Sequence, residues 1–246
     1  MNRESRGIHE VLRDKTIKQL NNLSIKKMQL NTVIFDMDGL LIDSEPLWQE
    51  AAEEVFALYN FKLTLAQYET STGLRTKEFV DYWFKMFNID AQYSPDAEKK
   101  IIEVVTHKIM HKGRIMPGVH YIFNFFESLN FRIGIASSSP KELIDIVIEM
   151  AEIGHQVHAV SSAQELPYGK PHPQVYLDCA SLLKTSPEEC LCFEDSFNGM
   201  IAAKAAKMKC VVVPSSSQSN SKKWGAADLQ LSSLQNFGKL FYESLS

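Results

Sequence analysis

The sequence predicts an α/β protein, with a Rossmann-like core on a parallel sheet and a helical cap inserted after the first strand. Short apolar runs recur along the chain, and each ends in a polar loop: Thr32 to Asp38, Phe131 to Ser139 and Cys190 to Asp195. Between the first of these and Pro117 the pattern changes to apolar residues at three- and four-residue intervals, the helical period. At 246 residues and 45% hydrophobic content the chain can bury one core plus a smaller module. The net charge of −4 offers nothing to nucleic acid. The longest apolar runs fall well short of a membrane span, and the first residues lack the apolar stretch of a secretory signal. No nucleic-acid partner, no membrane partner and a cytoplasmic location are therefore expected, and a monomer is compatible with the sequence.

The first strand carries the most telling chemistry. In TVIFDMDGLLIDSEP, residues at i and i+2 of an extended segment point the same way, so a buried strand from Thr32 to Phe35 delivers Asp36 and Asp38 to one spot. Gly39 lets the backbone turn away. Two carboxylates that close repel unless a cation or a shared proton compensates them.

The later loops supply partners. FRIGIASSSP is a strand pattern ending in Ser137, Ser138 and Ser139 before a proline and a new helix, and hydroxyls and N–H groups at such a junction suit an anion. LPYGKPHP fixes Lys170 in a segment too rich in proline for a helix or a central strand. CLCFEDSFNG runs from a short strand into Glu194 and Asp195, with Ser196 and Asn198 available to cap the next helix. Open parallel sheets bind ligands beyond the carboxyl ends of their strands, so these four elements are expected to converge. Carboxylates from two loops make a hard-oxygen site for Mg²⁺, which a phosphate oxygen usually completes. Glu194 and Asp195 point opposite ways in an extended strand end, so Asp195 is assigned to the metal and Glu194 acts through a water or a neighbouring ligand.

With DMDG, ASSS, GKPHP and FEDSFNGM in that order, the chain resembles the haloacid dehalogenase superfamily of aspartate-based phosphatases from about Thr32 to Pro214. Within it, FDMDGLLIDSEPLW, TGLR and LPYGKPHPQVYLDCA are similar to the bacterial sugar-phosphate phosphatases of the 2-deoxyglucose-6-phosphate and hexitol kind. The resemblance implies Asp36 as nucleophile and Asp38 as acid/base. It implies Ser137, Ser138 and Lys170 as phosphate binders, and Mg²⁺ held by Asp36, Asp195 and the backbone carbonyl of Asp38. The expected activity is Mg²⁺-dependent hydrolysis of hexose, deoxyhexose or hexitol monophosphates through an aspartyl-phosphate. The alternatives are a β-phosphoglucomutase and a non-catalytic sugar-phosphate sensor.

The core is assigned to residues 28–44 and 116–246, the cap to residues 45–115, and residues 1–27 to an extension outside the core. PLWQEAAEEVFALY, TKEFVDYWFKMF and DAEKKIIEVVTHKIMHK are the expected cap helices. Arg75, in GLRTK, follows a turn and is expected to reach into the cleft and bind the substrate. In β-phosphoglucomutases a histidine of the cap holds back the acid/base. The matching position is Trp48, and its lone N–H is expected not to replace that polar gate. The four cysteines form no CxxC and read as reduced core thiols.

Overall fold

In the computed structural model, which describes residues 29–245, TVIF forms β1 (Thr32–Phe35), buried along its whole length. The expected extension at residues 1–27 lies outside the described residues. β1 lies mid-sheet between β2 (Arg132–Ser137) and β4 (Cys190–Glu194), with β3 (Ala159–Ser162) beyond β2. On the other side follow β5 (Lys209–Val212) and β6 (Leu229–Gln230). All pairs are parallel in the order β3-β2-β1-β4-β5-β6, and the register sets Phe35 opposite both Ile135 and Phe193. β3 answers to no apolar run in the sequence.

Parallel neighbours require crossovers, and helices cover both faces. Alternation sends Val33 and Phe35 to one face and Ile34 to the other. On the first face Phe35 stacks on Phe123 of α5 (Val119–Ser128) at 4.7 Å and on Phe193 at 5.2 Å. α6 (Lys141–Met150) and α9 (Lys239–Leu245) pack on the same face. The opposite face is lined by small side chains, among them Ala136, Ala180, Ala202, Ala203 and the four cysteines, which are free and buried. These admit α7 (Gln174–Leu182) and α8 (Phe197–Ala205) close to the sheet.

Four helices lie between β1 and α5: α1 (Glu45–Ala57), α2 (Leu65–Thr70), α3 (Thr76–Met86) and α4 (Ser94–Lys112). α4 buries Ala97, Ile101, Val105 and Ile109, a strict four-residue stripe, against the Leu47, Ala51 and Val55 face of α1. α2 was not among the expected helices; a reciprocal capping box between Thr64 and Gln67 starts it. The two chain segments joining this helical unit to the core run side by side, Asp43 N–H to Arg114 O and Met116 N–H to Leu41 O, both at 2.9 Å. Among the described residues no helix is long and apolar enough to cross a membrane.

Phe126 of α5 is buried and touches the rings of Phe35, Phe131, Phe193 and Phe237. Phe126→Ala is expected to cost about 3–5 kcal/mol in urea unfolding; a cost below about 1 kcal/mol would show that this aromatic layer does not anchor the sheet.

Candidate active site

The register of β1, β2 and β4 brings the loops after their carboxyl ends together. Asp36 follows β1 directly, and one of its oxygens accepts a hydrogen bond from Lys170 Nζ at 2.7 Å. Lys170 also donates to Glu194 Oε1 at 2.7 Å, and the Tyr176 hydroxyl donates to that same oxygen. The ammonium lies 5.0 Å from the Tyr176 ring centre, and the Lys170 side chain is 1% exposed. Glu194 Oε2 accepts from the backbone N–H groups of Asp195 and Ser196 and from the Ser196 hydroxyl. Both oxygens of Glu194 are therefore engaged by the protein.

Burial opposes the charge on Lys170, but Asp36 and Glu194 outweigh it and raise its pKa. Asp36 is pushed up to about 7, first by burial and then by the neighbouring Glu194, with Lys170 pulling the other way. Asp195 is raised well above the ordinary carboxylate range by burial and by Asp36. Glu45, which starts α1, is pushed up to about 8 by burial and by the charges of Asp38, Asp36 and Asp43. The cleft thus concentrates negative charge beyond what one lysine neutralises.

Asp38 is held by four donors. Oδ1 accepts from the Ser44 hydroxyl and from Trp48 Nε1, each at 2.7 Å. Oδ2 accepts from the Ser139 hydroxyl at 2.7 Å and from that of Ser137 at 3.3 Å. The Trp48 indole thus reaches the second aspartate with its one donor. A hydroxyl can turn from donor to acceptor, whereas an indole N–H only donates. The hydroxyls of Ser44, Ser137 and Ser139 can each turn to accept, so either oxygen of Asp38 can carry a proton.

The fit to a divalent cation rests on Asp195. Its Oδ1 is buried without a hydrogen-bond partner, and oxygens of Asp36, Glu194 and Asp195 lie within 4.8 Å of one another. An anionic, all-oxygen set with one orphaned carboxylate oxygen suits a hard cation such as Mg²⁺. Gly39 makes room for it: its φ is +73°, and a Cβ there would stand 2.1 Å from Asp195 Oδ2.

Asp36, Asp38, Lys170 and Asp195 line one cleft together with Ser138, Ser139, Glu45 and Trp48. Ser137 is wholly buried with its hydroxyl on Asp38, and the Ser138 hydroxyl donates to the Gly73 carbonyl across the seam at 3.0 Å. Arg75 is not brought into the cleft, contrary to the expectation of a substrate contact. Its guanidinium turns to the carbonyls of Ala163, Gln164 and Leu166 and to Glu78, because that loop presents a cluster of buried acceptors. Ser44, Glu45 and Tyr176 were not singled out by sequence, and Ser139, read there as part of an anion-binding junction, instead donates to Asp38. Ser44 and Glu45 sit beside the DMDG motif at the start of the first cap helix, which was the only available signal.

The profile of the haloacid dehalogenase-like hydrolases matches residues 33–213. The chain belongs to that family. It is 38% identical over 207 residues to hexitol phosphatase B of Escherichia coli (strain K12), covering 84% of this chain and 93% of that protein. It is 27% identical over 177 residues to the phosphorylated carbohydrates phosphatase of Thermotoga maritima, covering 72% and 82%. The fold matches that of a β-phosphoglucomutase from Clostridium difficile with a TM-score of 0.78 at 21% identity, covering 88% of this chain and 97% of that one. This family member is an enzyme, a phosphoric monoester hydrolase.

Raised carboxyl pKa values mean that the folded state holds protons which the unfolded chain releases. With Asp36 moved from 3.8 to about 7 and Glu45 from 4.5 to about 8, stability contributed by these groups falls as pH rises through that window. The melting temperature in the presence of a chelator is therefore expected to drop between about pH 5 and about pH 8. A flat or rising profile over that range would contradict the acidic crowding described here.

Proposed function

We propose that the protein hydrolyses small sugar monophosphates with Mg²⁺, by way of a phosphoryl group carried on Asp36. The observation that carries this reading is the meeting of Asp36, Asp38, Lys170 and Asp195 in one cleft whose lining holds a single cationic side chain, Lys170. One cation beside the nucleophile suits one phosphate. The rest of the lining, including Ser71, Thr72, Thr76, Leu74, Phe79 and Ile101, suits a neutral polyhydroxylated body. The names of the relatives in E. coli and T. maritima support the same substrate class.

The chemistry follows from the contacts. Lys170 fixes one oxygen of Asp36, while the other accepts no hydrogen bond from the described residues and is free to attack phosphorus. As the bond from Asp36 to phosphorus forms, the bond to the sugar oxygen breaks, and Asp38 donates a proton to that leaving oxygen. Asp38 then takes a proton from the water that attacks the aspartyl-phosphate, releasing orthophosphate and restoring Asp36. Acid/base assistance of this kind contributes roughly a hundredfold to ten-thousandfold. Asp36, Asp195 and the Asp38 carbonyl would hold the Mg²⁺, which when bound neutralises phosphate charge. The cleft encloses a cavity of about 60 Å³, room for a few waters. Beside it a wider space of about 670 Å³ opens onto Glu45, Thr72 and Asp195, and closing of the helical unit over a bound sugar phosphate would exclude bulk water.

A mutase handles a sugar bisphosphate, whose second phosphate needs a cation of its own. Lys223 lines the adjoining space that shares Glu45 and Asp195 with the cleft, so the phosphatase reading is preferred on the names of the relatives in E. coli and T. maritima. A sensor without turnover has no use for an acid/base held by four donors.

Asp36→Asn is expected to abolish phosphate release with the fold intact, because the amide is nearly isosteric and a poor nucleophile. Asp38→Asn is expected to slow sugar-phosphate hydrolysis about a hundredfold or more, with a smaller loss on an activated aryl phosphate that needs little leaving-group help. Equal losses on both substrates would remove Asp38 from the role of acid.

Activity is expected to require Mg²⁺ and to be inhibited by Ca²⁺, which takes more oxygens at longer range and can engage both oxygens of Asp36. Full activity after thorough chelation would refute the metal assignment. Given β-glucose 1-phosphate with a trace of the 1,6-bisphosphate, the protein is expected to release orthophosphate and form little glucose 6-phosphate. Isomerisation outpacing phosphate release would favour the mutase.

A further inference from the structure

We propose that Arg75 and Glu78 of the cap are positioning residues for Lys170, so that seating the cap on the core completes the phosphate pocket. This rests on the phosphatase reading above and adds the means by which cap and pocket are coupled. The loop from Ala163 to Gly169 leads directly into Lys170 and has no helix or strand to shape it. Within the core, Ala163 N–H donates to the Ser137 carbonyl, Gln164 N–H to the Ser162 hydroxyl and Leu166 N–H to the Ala163 carbonyl, and the cap adds further bonds. Arg75 is the residue before α3, and its side chain is 6% exposed. Nη1 donates to the carbonyls of Ala163 and Gln164, each at 3.1 Å, and to that of Leu166, while Nη2 donates to Glu78 Oε1 at 2.9 Å. The same Glu78 oxygen accepts the backbone N–H of Gly169 at 2.8 Å, one residue before the lysine.

The approach is as close as backbone allows. A Cβ on residue 169 would lie 2.4 Å from Glu78 Oε2 and 3.1 Å from Arg75 Cβ, so any larger residue there would displace the Glu78 carboxylate. The pair is not arranged for stability alone, because Arg75 Nε and Glu78 Oε2 are buried without partners. Elsewhere along the seam the contacts are lighter: Ser138 to the Gly73 carbonyl and Asn198 to the Thr72 carbonyl, each a single bond at 3.0 Å. Three cap residues in a row of four thus touch the loops after β2 and β3 and the first turn of α8, and the charged contact falls on the loop that carries the lysine. With the cap lifted, the Gln164 and Leu166 carbonyls and the Gly169 N–H lose their cap partners, the Ala163 carbonyl keeps only the Leu166 N–H, and Lys170 loses the fixed approach from which it reaches Asp36 and Glu194.

The test uses Glu78→Ala, with Glu78→Gln as the conservative variant that keeps an acceptor for Gly169, and Arg75→Lys. For Glu78→Ala we expect kcat to fall about tenfold to a hundredfold on both a hexitol phosphate and phenyl phosphate, the scale of a slight misplacement of a catalytic group. Inhibition by orthovanadate is expected to weaken in step, and Glu78→Gln to recover most of both losses. In a Lys170→Met background, Glu78→Ala is expected to add little, because both changes act through the same ammonium. A loss confined to the hexitol phosphate, with phenyl phosphate and vanadate unaffected, would mean that the pair only shuts the cap over the sugar, and so would full additivity with Lys170→Met. Hydrogen exchange provides a readout independent of turnover and of whether Lys170→Met folds: amides 163–170 should exchange faster in Glu78→Ala and regain protection in Glu78→Gln. Unchanged protection overturns the clamp. A wild-type protein that releases no phosphate from any monoester and is blind to vanadate would instead overturn the phosphatase reading, leaving the exchange experiment to decide the clamp.

Discussion

Lys170 stands 2.7 Å from an oxygen of Asp36 and 2.7 Å from an oxygen of Glu194, with 1% of its side chain exposed. A buried ammonium alone is costly, and Lys170 in turn eases the charge on Asp36, which burial and the neighbouring Glu194 oppose. Removing one partner of such a group typically costs about 3–5 kcal/mol, because a buried charge is left unpaired. Glu194 is in turn held by Tyr176, by two backbone N–H groups and by Ser196, so the ammonium is fixed from the sheet side. The fold serves this contact: β1 and β4 are neighbours in register, which sets Asp36 beside Glu194, and the loop after β3 brings the lysine across.

The two aspartates of the DMDG motif are treated differently by their surroundings. Asp36 is left with one free oxygen and a raised pKa, while both oxygens of Asp38 are occupied by donors from the cap side and from the loop after β2. Ser44 and Trp48 belong to the start of the first cap helix, so movement of the cap alters the partners of Asp38. The cap therefore contacts the site through Ser44 and Trp48 on Asp38, through the Gly73 carbonyl on Ser138, and through Arg75 and Glu78 on the loop before Lys170.

Much of this was legible in the sequence where local pattern decides structure. β1, β2 and β4 are runs of apolar residues ended by polar loops, and α1, α3 and α4 follow the helical period, so both the layered core and the helical insertion could be read. β3 could not, since AVSS is four residues long, half of them serine, and is a strand only because β2 pairs with it. Arg75 was misread for a related reason. Its sequence neighbours show a turn and a helix start, but the acceptors that capture it lie 88 to 91 residues away, where three carbonyls converge. Trp48 was judged by what an indole lacks compared with a histidine, and the one donor it has proved to be aimed at Asp38. Side-chain direction across long sequence separations is set by tertiary packing, to which local pattern is blind.

The central claim is that Asp36 carries the phosphoryl group between two displacements. Acid quenching during turnover of a hexitol phosphate, followed by peptide mass spectrometry, addresses it directly. A phosphoryl adduct is expected on the peptide containing Asp36, enriched in Asp38→Asn and absent from Asp36→Asn. Steady release of orthophosphate with no adduct on Asp36 in the wild-type protein or in Asp38→Asn, or an adduct on another residue, would contradict it.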